Sequence, residues 1–218
     1  MNDHVLVNGM VLKTSPVNDY DRRLVVLTKE RGKITVFAKG ARRQGSRTMA
    51  ATNQFCFGTF KLYEGKNAYN LIEASITHYF EELRSDFEGA YLGMYFLEIA
   101  DYYARENNDE IELLKLLFQS IRAIVKPTLD NRLVKSVFEI KALVVNGEFP
   151  GIRDDDKYQN GTLHTIEYIV SSSIERLYTF AVTDEILNEL SDFSSKNVKK
   201  YIDRHFKSLE LLKTISNY

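Results

Sequence analysis

Tryptophan is absent from this 218-residue sequence, and only one cysteine, Cys56, is present. A single thiol cannot form an internal disulfide, and it excludes zinc and redox sites built from paired cysteines. No hydrophobic run in the sequence approaches the roughly 20 residues that span a bilayer, and the N-terminus lacks the layout of a signal peptide. We therefore expect a reduced, cytoplasmic protein with no membrane partner.

The sequence also lacks recognisable catalytic motifs. Gly40 and Gly45 have the glycine spacing of a phosphate-binding loop, but Ser46 and Arg47 follow where that motif needs Lys and then Ser or Thr. The run Asp154–Asp156 lacks the alternating spacing of a calcium loop. We interpret it as a solvated loop, with a magnesium-dependent nuclease as a distant alternative. The histidines show no paired spacing and are interpreted as surface or packing residues: His4, His78, His164 and His205. We expect no enzymatic activity, no cofactor and no metal.

Charge is unevenly distributed along the chain, although the formal net charge is only -1. Residues 1–80 carry a balance of +6, residues 81–195 a balance of -11, and residues 196–218 a balance of +4. Such asymmetry suggests that one part of a protein faces an anion. Random scatter is the alternative.

Residues 1–80 are typical of β-structure. Five runs rich in β-branched and aromatic residues are separated by polar turns: Val5–Leu12, Leu24–Thr28, Ile34–Ala38, Phe55–Tyr63 and Tyr69–Ile76. Five short strands with a basic insertion after the third favour a small barrel of the OB type. An SH3-like barrel is not separated from it by sequence alone.

After Tyr79 the hydrophobic period changes to that of helices. We predict five helices. The first covers 89–105, and the second starts at an Asp109 cap, with Glu112 completing a capping box, and ends before Pro127. The third covers 131–146 and stops at Gly147, and two closing helices cover 184–193 and 195–213, the latter capped by Ser194 or Ser195. Residues 148–161 are predicted to be a loop. The fold class is therefore α+β, with an OB-type domain over 1–80 and an all-α domain over 81–218.

The most informative segment places four cations directly after the third strand: Lys39, Arg42, Arg43 and Arg47. Such a cluster attracts phosphates, because each neutralised phosphate releases condensed counterions. Cations on the neighbouring hairpin could extend the same surface: Arg22, Arg23, Lys29, Arg31 and Lys33. A merely solvated basic loop is the alternative.

Aromatic residues on the strands could stack on bases, as they do in single-strand-binding barrels. The candidates are Phe37, Phe55, Phe57, Phe60 and Tyr63. For each of them, a place in the core is the alternative.

These segments resemble the RecO family of bacterial recombination mediators. The resemblance is carried by Gly9–Thr14, Tyr20–Leu24, Thr28–Lys33, Ala38–Arg43 and Ser46-Arg47, which are its specific part, and by Leu97-Glu98, Phe138–Gly147 and Lys207–Leu209 in the helical region. It implies an N-terminal OB barrel, a C-terminal helical domain and a nucleoid-associated protein.

The resemblance also implies partners and contacts. Members of this family bind single- and double-stranded DNA, anneal complementary strands, and work with RecR and often RecF to load RecA. They also bind the acidic C-terminal tail of single-stranded-DNA-binding protein. By position, Lys39, Arg42, Arg43 and Arg47 would contact DNA. Five cations of the basic last helix are candidates for the acidic tail or for DNA: Lys196, Lys199, Lys200, Arg204 and Lys207.

The sequence departs from many relatives after Gly147, where they carry a four-cysteine zinc module. Residues 148–156 contain no cysteine, so we expect the zinc module to be lost because thiolate ligands are missing. Functions hosted by that module are not carried over. The alternative function is a protein adaptor whose basic surfaces bind acidic segments of partners and not DNA.

Overall fold

The computed structural model describes residues 4–66, 68–152 and 157–215. Two compact units divide the chain: Met1–Glu81 with Leu97–Leu114, here named the barrel unit, and Glu82–Phe96 with Lys115–Tyr218, here named the helical unit. The division into domains 1–80 and 81–218 stays a prediction, because the barrel unit also includes Leu97–Leu114. The acidic run Asp154–Asp156 lies outside the described residues.

Five β-strands close into a barrel in the barrel unit. They are β1 (His4–Val17), β2 (Asp21–Thr28), β3 (Gly32–Ala38), β4 (Phe57–Glu64) and β5 (Tyr69–His78). Their order is β1-β2-β3-β5-β4, so β5 lies between β3 and β4. Strands β3 and β5 are parallel, and the other neighbours are antiparallel. The closed five-stranded barrel confirms the predicted OB-type architecture of this region.

Alternation along β3 shows how the sequence builds the barrel. Ile34, Val36 and Ala38 are buried in the barrel core, whereas Lys33 and Phe37 are only half-buried on the outer face. Successive side chains of a strand point to opposite faces, so the apolar residues at every second position fill the interior. The polar or aromatic residues between them form the outer wall of the barrel.

Six α-helices account for most of the remaining described residues. They are α1 (Phe87–Tyr103), α2 (Ile111–Ile124), α3 (Asn131–Val145), α4 (Asn160–Ser171), α5 (Asp184–Tyr201) and α6 (Lys207–Ile215). A barrel followed by helices confirms the predicted α+β class. Within the described ranges, no helix combines the length and hydrophobicity needed to cross a membrane.

The predicted signals Asp109 and Gly147 lie at the start of α2 and after the end of α3, and α3 has a further cap that was not predicted. The Asp109 carboxylate accepts a hydrogen bond from the Ile111 amide at 3.1 Å, next to the first turn of α2. Asp130 accepts one from the Arg132 amide at 2.7 Å and caps α3. Gly147, in the left-handed region at φ 72°, follows the end of α3, as glycine does after many helices.

The C-terminal helices differ from the prediction. Helix α4 was not predicted, and it begins inside the predicted loop 148–161. Helix α5 is continuous through Ser194 and Ser195, so the predicted helix start there is wrong. Its cap is Thr183, whose side chain accepts from the Ile186 amide. The predicted closing helix over 195–213 is therefore divided between the end of α5 and a separate α6.

Helix α3 is the central element of the helical unit. Every residue from Leu133 to Leu143 is buried, and the Phe138 ring stacks on that of Phe96 at 3.9 Å between centroids. The buried Lys141 ammonium donates to the backbone carbonyl oxygens of Ile169, Val170 and Ser172 at 2.7–3.2 Å. These carbonyls lie at the end of α4, where a helix leaves acceptors without intrahelical donors, so Lys141 joins α3 to α4.

Candidate nucleic-acid interface

The segment 39–47, here named the cationic loop, is anchored to the turn between β1 and β2. The Gly40 amide donates to Asp21 Oδ1 at 2.7 Å, and the Arg42 amide donates to the Tyr20 carbonyl oxygen at 2.8 Å. The Arg42 guanidinium also lies 3.3 Å from the Asn18 carbonyl oxygen. Three bonds to residues 18–21 therefore hold the first half of the loop against the barrel.

Backbone turns and one apolar side chain shape the cationic loop further. Ala41 is fully buried in the barrel core, so its side chain points into the barrel. Amides of Arg43 and Ser46 donate to the carbonyl oxygens three residues earlier, at 3.0 Å in each case. Gly40 has φ 66°, a left-handed conformation that glycine adopts without strain. The loop is thus ordered by local bonds.

All four cations of the cationic loop are exposed: Lys39, Arg42, Arg43 and Arg47. Over the described part of the chain, none of them forms an ion pair with a carboxylate. Arg43 instead lies over the ring of Tyr20, with 5.2 Å between its Cζ atom and the ring centroid. Four like charges on one short loop repel each other in the free protein, and a polyanion would relieve this repulsion.

Arg22 and Arg23 lie at the same end of the barrel but have different surroundings. The Arg22 guanidinium donates to the Met49 carbonyl oxygen, Thr52 Oγ1 and Asn53 Oδ1 at 2.7–2.9 Å. It therefore fixes the segment that follows the cationic loop. Arg23 is exposed on the outer face, in register with Phe37 of β3.

Arg31 and Lys33 lie at the opposite end of β2 and β3. Lys33 and Lys39 are six positions apart in the sequence, which corresponds to about 20 Å of extended strand. The structure therefore does not bring all eight predicted DNA contacts together at one end of the barrel. Lys33 and Lys13 also ion-pair with Asp101 within the barrel unit, at 3.3 and 2.7 Å. The positive charges of Lys13 and Lys33 are therefore both paired within the barrel unit.

Asp101 is stabilised as a carboxylate by these lysines. Burial by itself would raise its pKa, but the hydrogen bond from Lys13 and the positive charges of Lys33 and Lys13 outweigh burial and hold the pKa below its ordinary value. Lys33 also donates to the Asp101 carbonyl oxygen at 2.5 Å. The contact between Lys33 and Asp101 fixes the β2–β3 hairpin within the barrel unit.

Only some of the predicted stacking aromatics are accessible. Phe60 is fully buried and Phe55 is 7% exposed, so both belong to the interior and stacking on a base is excluded for them as the barrel stands. Phe37 is half-buried on the outer face, Phe57 packs edge-on against His78, and Tyr63 is exposed. Sequence reasoning missed Tyr20, which is 52% exposed beside the cationic loop.

A second cationic site lies in the helical unit, as a groove of about 630 Å³ between α3, α5 and α6. Lys196, Lys199 and Arg204 line it, whereas Lys200 and Lys207 do not. These five residues do not share one helix, because Arg204 lies in the segment between α5 and α6. The groove also contains cations that were not predicted from the sequence: Arg132, Lys135 and Lys213.

A buried polar network forms the floor of this groove. The Glu139 carboxylate, 1% exposed, accepts from Tyr95 at 2.6 Å, from Ser194 at 2.7 Å and from Lys135 at 3.0 Å. Lys135 also donates to Ser195 Oγ at 3.0 Å. Ser194 and Ser195, which were predicted to cap a helix, instead belong to this network inside α5. A buried charge pair with its hydrogen bonds satisfied gives the groove a fixed base.

Among the described residues, no group of three or more His, Cys, Asp or Glu side chains is arranged to hold a metal ion. The alternative site at Asp154–Asp156 lies outside them. The cationic loop instead presents exposed Lys and Arg side chains, whose positive charge attracts anions.

Comparisons with known proteins agree with this arrangement. The family models "Recombination protein O N terminal" and "Recombination protein O C terminal" match residues 1–80 and 84–155. The DNA repair protein RecO of Acetivibrio thermocellus is 25% identical, over 98% of each chain. That of Clostridium acetobutylicum is 27% identical, over 95% of this chain and 96% of its own. The barrel, the helices that follow it in the chain and these matches together show that the chain belongs to the RecO family of DNA repair proteins.

Proposed function

We propose that this protein binds DNA through the cationic loop and acts without catalysis as a mediator of DNA repair. In this role it anneals complementary strands and, with RecR and RecF, helps load RecA onto single-stranded DNA. The observation that carries the proposal is the set of four exposed cations on an anchored loop, none of which is neutralised by a described carboxylate.

The physical basis of annealing is charge neutralisation. Two complementary strands repel each other through their phosphates, and bound cations lower that repulsion while releasing condensed counterions. Phosphates carry no sequence information, so contacts from Lys39, Arg42, Arg43 and Arg47 would support weak sequence preference. The excess negative charge of residues 81–195 would be repelled by the DNA.

The first test is the double variant Arg42→Gln/Arg43→Gln. We expect it to bind single-stranded oligonucleotides of any sequence about tenfold or more weakly at low salt, because two phosphate contacts are lost. Fluorescence anisotropy over several salt concentrations should also show that the slope of log K against log salt becomes shallower by about 1.4.

The matched control is Arg122→Gln/Lys126→Gln, which removes the same charge from two exposed residues of the helical unit. It should bind DNA like the parent protein. If Arg42→Gln/Arg43→Gln binds as tightly as the parent protein at low salt, the cationic loop is not the DNA site.

The groove of the helical unit supports a second binding role. Lys199 and Arg204 present positive charge around a fixed polar floor, whereas the charge of Lys196 is paired with Asp192 at 2.6 Å. The groove has the size of a small-ligand pocket. It would accept a few residues of an acidic chain end, such as the acidic C-terminal tail of single-stranded-DNA-binding protein. Lysine and arginine near a terminal carboxylate form charge-assisted hydrogen bonds.

The test compares two neighbouring lysines of α5. Lys199 lines the groove and Lys200 does not, so Lys199→Glu should weaken binding of a labelled acidic peptide about tenfold, whereas Lys200→Glu should change it much less. The measurement is anisotropy of the labelled peptide. Equal losses in both variants would mean that net charge and not the groove attracts the peptide. A parent protein that binds the peptide but no DNA would favour the adaptor function.

A further inference from the structure

Tyr20 is an exposed aromatic residue fixed at the edge of the cationic loop. Its carbonyl oxygen accepts a hydrogen bond from the Arg42 amide at 2.8 Å, and the Arg43 guanidinium lies over its ring at 5.2 Å. Even so, Tyr20 is 52% exposed. Backbone and side chain are thus both attached to the loop, while much of the residue faces solvent.

The phenylalanines predicted from the sequence to stack on bases are less well placed than Tyr20. Phe55 and Phe60 are in the interior, and the Phe57 ring packs edge-on against His78. Phe37 is half-buried between neighbouring strands. Tyr20 alone among these combines more than half exposure with direct contact to a cation of the loop.

We propose that Tyr20 is a base-stacking residue that makes the cationic loop prefer unpaired strands to duplex DNA. This inference rests on the proposed DNA binding by the loop. With Arg43 over one face of the ring, a base stacks on the accessible part of the ring while the loop cations bind the adjacent phosphates. In a duplex both faces of a base are already stacked on neighbouring pairs, so only an unpaired strand offers a face to the ring.

The arrangement lowers the entropic cost of stacking. A free surface tyrosine must lose rotamer freedom when a base packs on it. The ring of Tyr20 is held in advance by the guanidinium of Arg43, an attractive contact between a cation and the face of an aromatic ring. The same arginine keeps further N–H groups that can bind a phosphate oxygen.

The experiment uses the full-length protein and three fluorescent probes: a short oligothymidylate, an abasic oligonucleotide with the same number of phosphates, and a duplex of equal length. For Tyr20→Ser we expect affinity for oligothymidylate to fall about tenfold, whereas affinities for the abasic strand and the duplex stay within about twofold of the parent. Tyr20→Phe keeps the ring and should bind all three probes like the parent.

Tyr79→Ser is the matched control, because Tyr79 is also exposed, at 40%, but follows β5 and makes none of the described hydrogen bonds or cation–ring contacts with the cationic loop. It should leave all three affinities unchanged. Far-UV circular dichroism checks that each variant is folded.

Several outcomes overturn the inference. Equal weakening of all three probes by Tyr20→Ser would show that the residue only positions the loop, and no weakening would show that it has no role. A Tyr20→Phe variant as weak as Tyr20→Ser would assign the effect to the hydroxyl group. If the parent protein binds none of the probes, the proposed DNA binding itself fails, and the inference fails with it. A parent protein that binds abasic and thymidylate strands equally leaves the proposed function intact and overturns the stacking role alone.

Discussion

Asp101 forms ion pairs with two lysines of the barrel unit, Lys13 and Lys33, and its effect on stability should depend on pH. Its pKa is held below the ordinary value by Lys13 and Lys33, so the folded state favours the carboxylate. A lowered pKa gives stability that is present above the unfolded-state value, near 4, and is lost as pH falls through the folded value. Asp101→Asn should therefore lower the free energy of unfolding by about 1–2 kcal/mol at neutral pH.

This prediction is checked by urea unfolding followed by circular dichroism at neutral and at acidic pH. The difference between Asp101→Asn and the parent protein should shrink at acidic pH, where the parent has also lost its charge. Asp203→Asn, an exposed aspartate of the helical unit, should unfold like the parent at both pH values. A difference that stays constant between the two pH values would exclude the lysine contacts as its cause.

Single residues also show what the sequence could and could not predict about the candidate site. The cationic loop was identifiable because its four cations are close together along the chain. The different surroundings of Arg22 and Lys33 could not be predicted, because their partners lie far away in sequence: Asn53 for Arg22 and Asp101 for Lys33. Tyr20 was missed because one exposed tyrosine in a turn has no periodicity that distinguishes it from any other polar turn residue.

At the scale of elements, strands were predicted more successfully than the C-terminal helices. β3 and β4 alternate cleanly because one face of each is buried in the barrel core, and a two-residue period is visible in a short segment. Helix α4 was missed because it has no side-chain cap and contains Gly161, Thr162 and Thr165, residues with low helix propensity. Its stability comes from tertiary contacts, among them the Lys141 bonds to its last carbonyl oxygens.

The segment before α4 illustrates the same dependence on tertiary contacts. Phe149 and Tyr158 both pack on Phe193 of α5, with ring centroids 6.3 and 5.8 Å away. Glu189 of α5 accepts from the Gln159 amide and from Thr162 Oγ1. In the predicted absence of a zinc module, these aromatic and carboxylate contacts attach the described parts of the segment to α5. A sequence scan does not reveal such contacts, because the partners lie more than 25 residues apart.

At the scale of the whole molecule, the uneven charge along the chain corresponds to particular sites in the structure. The positive excess of residues 1–80 includes the cationic loop of the barrel unit, and that of residues 196–218 includes groove residues of the helical unit. A net charge of -1 therefore conceals two separate cationic sites in one chain. If each site binds its own anion, DNA and an acidic peptide should occupy the same molecule at once.

A competition measurement tests this independence. If the peptide binds the groove and the DNA binds the cationic loop, as proposed, a saturating acidic peptide should displace little of the labelled single-stranded DNA from the protein. Arg42→Gln/Arg43→Gln should leave peptide affinity within about twofold of the parent, and Lys199→Glu should do the same for DNA affinity, since mutations at independent sites act additively. Full displacement of DNA by the peptide, with both variants weakening both ligands, would instead mean that one cationic surface serves both anions. In that case the two lysine- and arginine-rich segments would have to function as a single site, and the adaptor and DNA-binding roles would exclude each other on any one molecule.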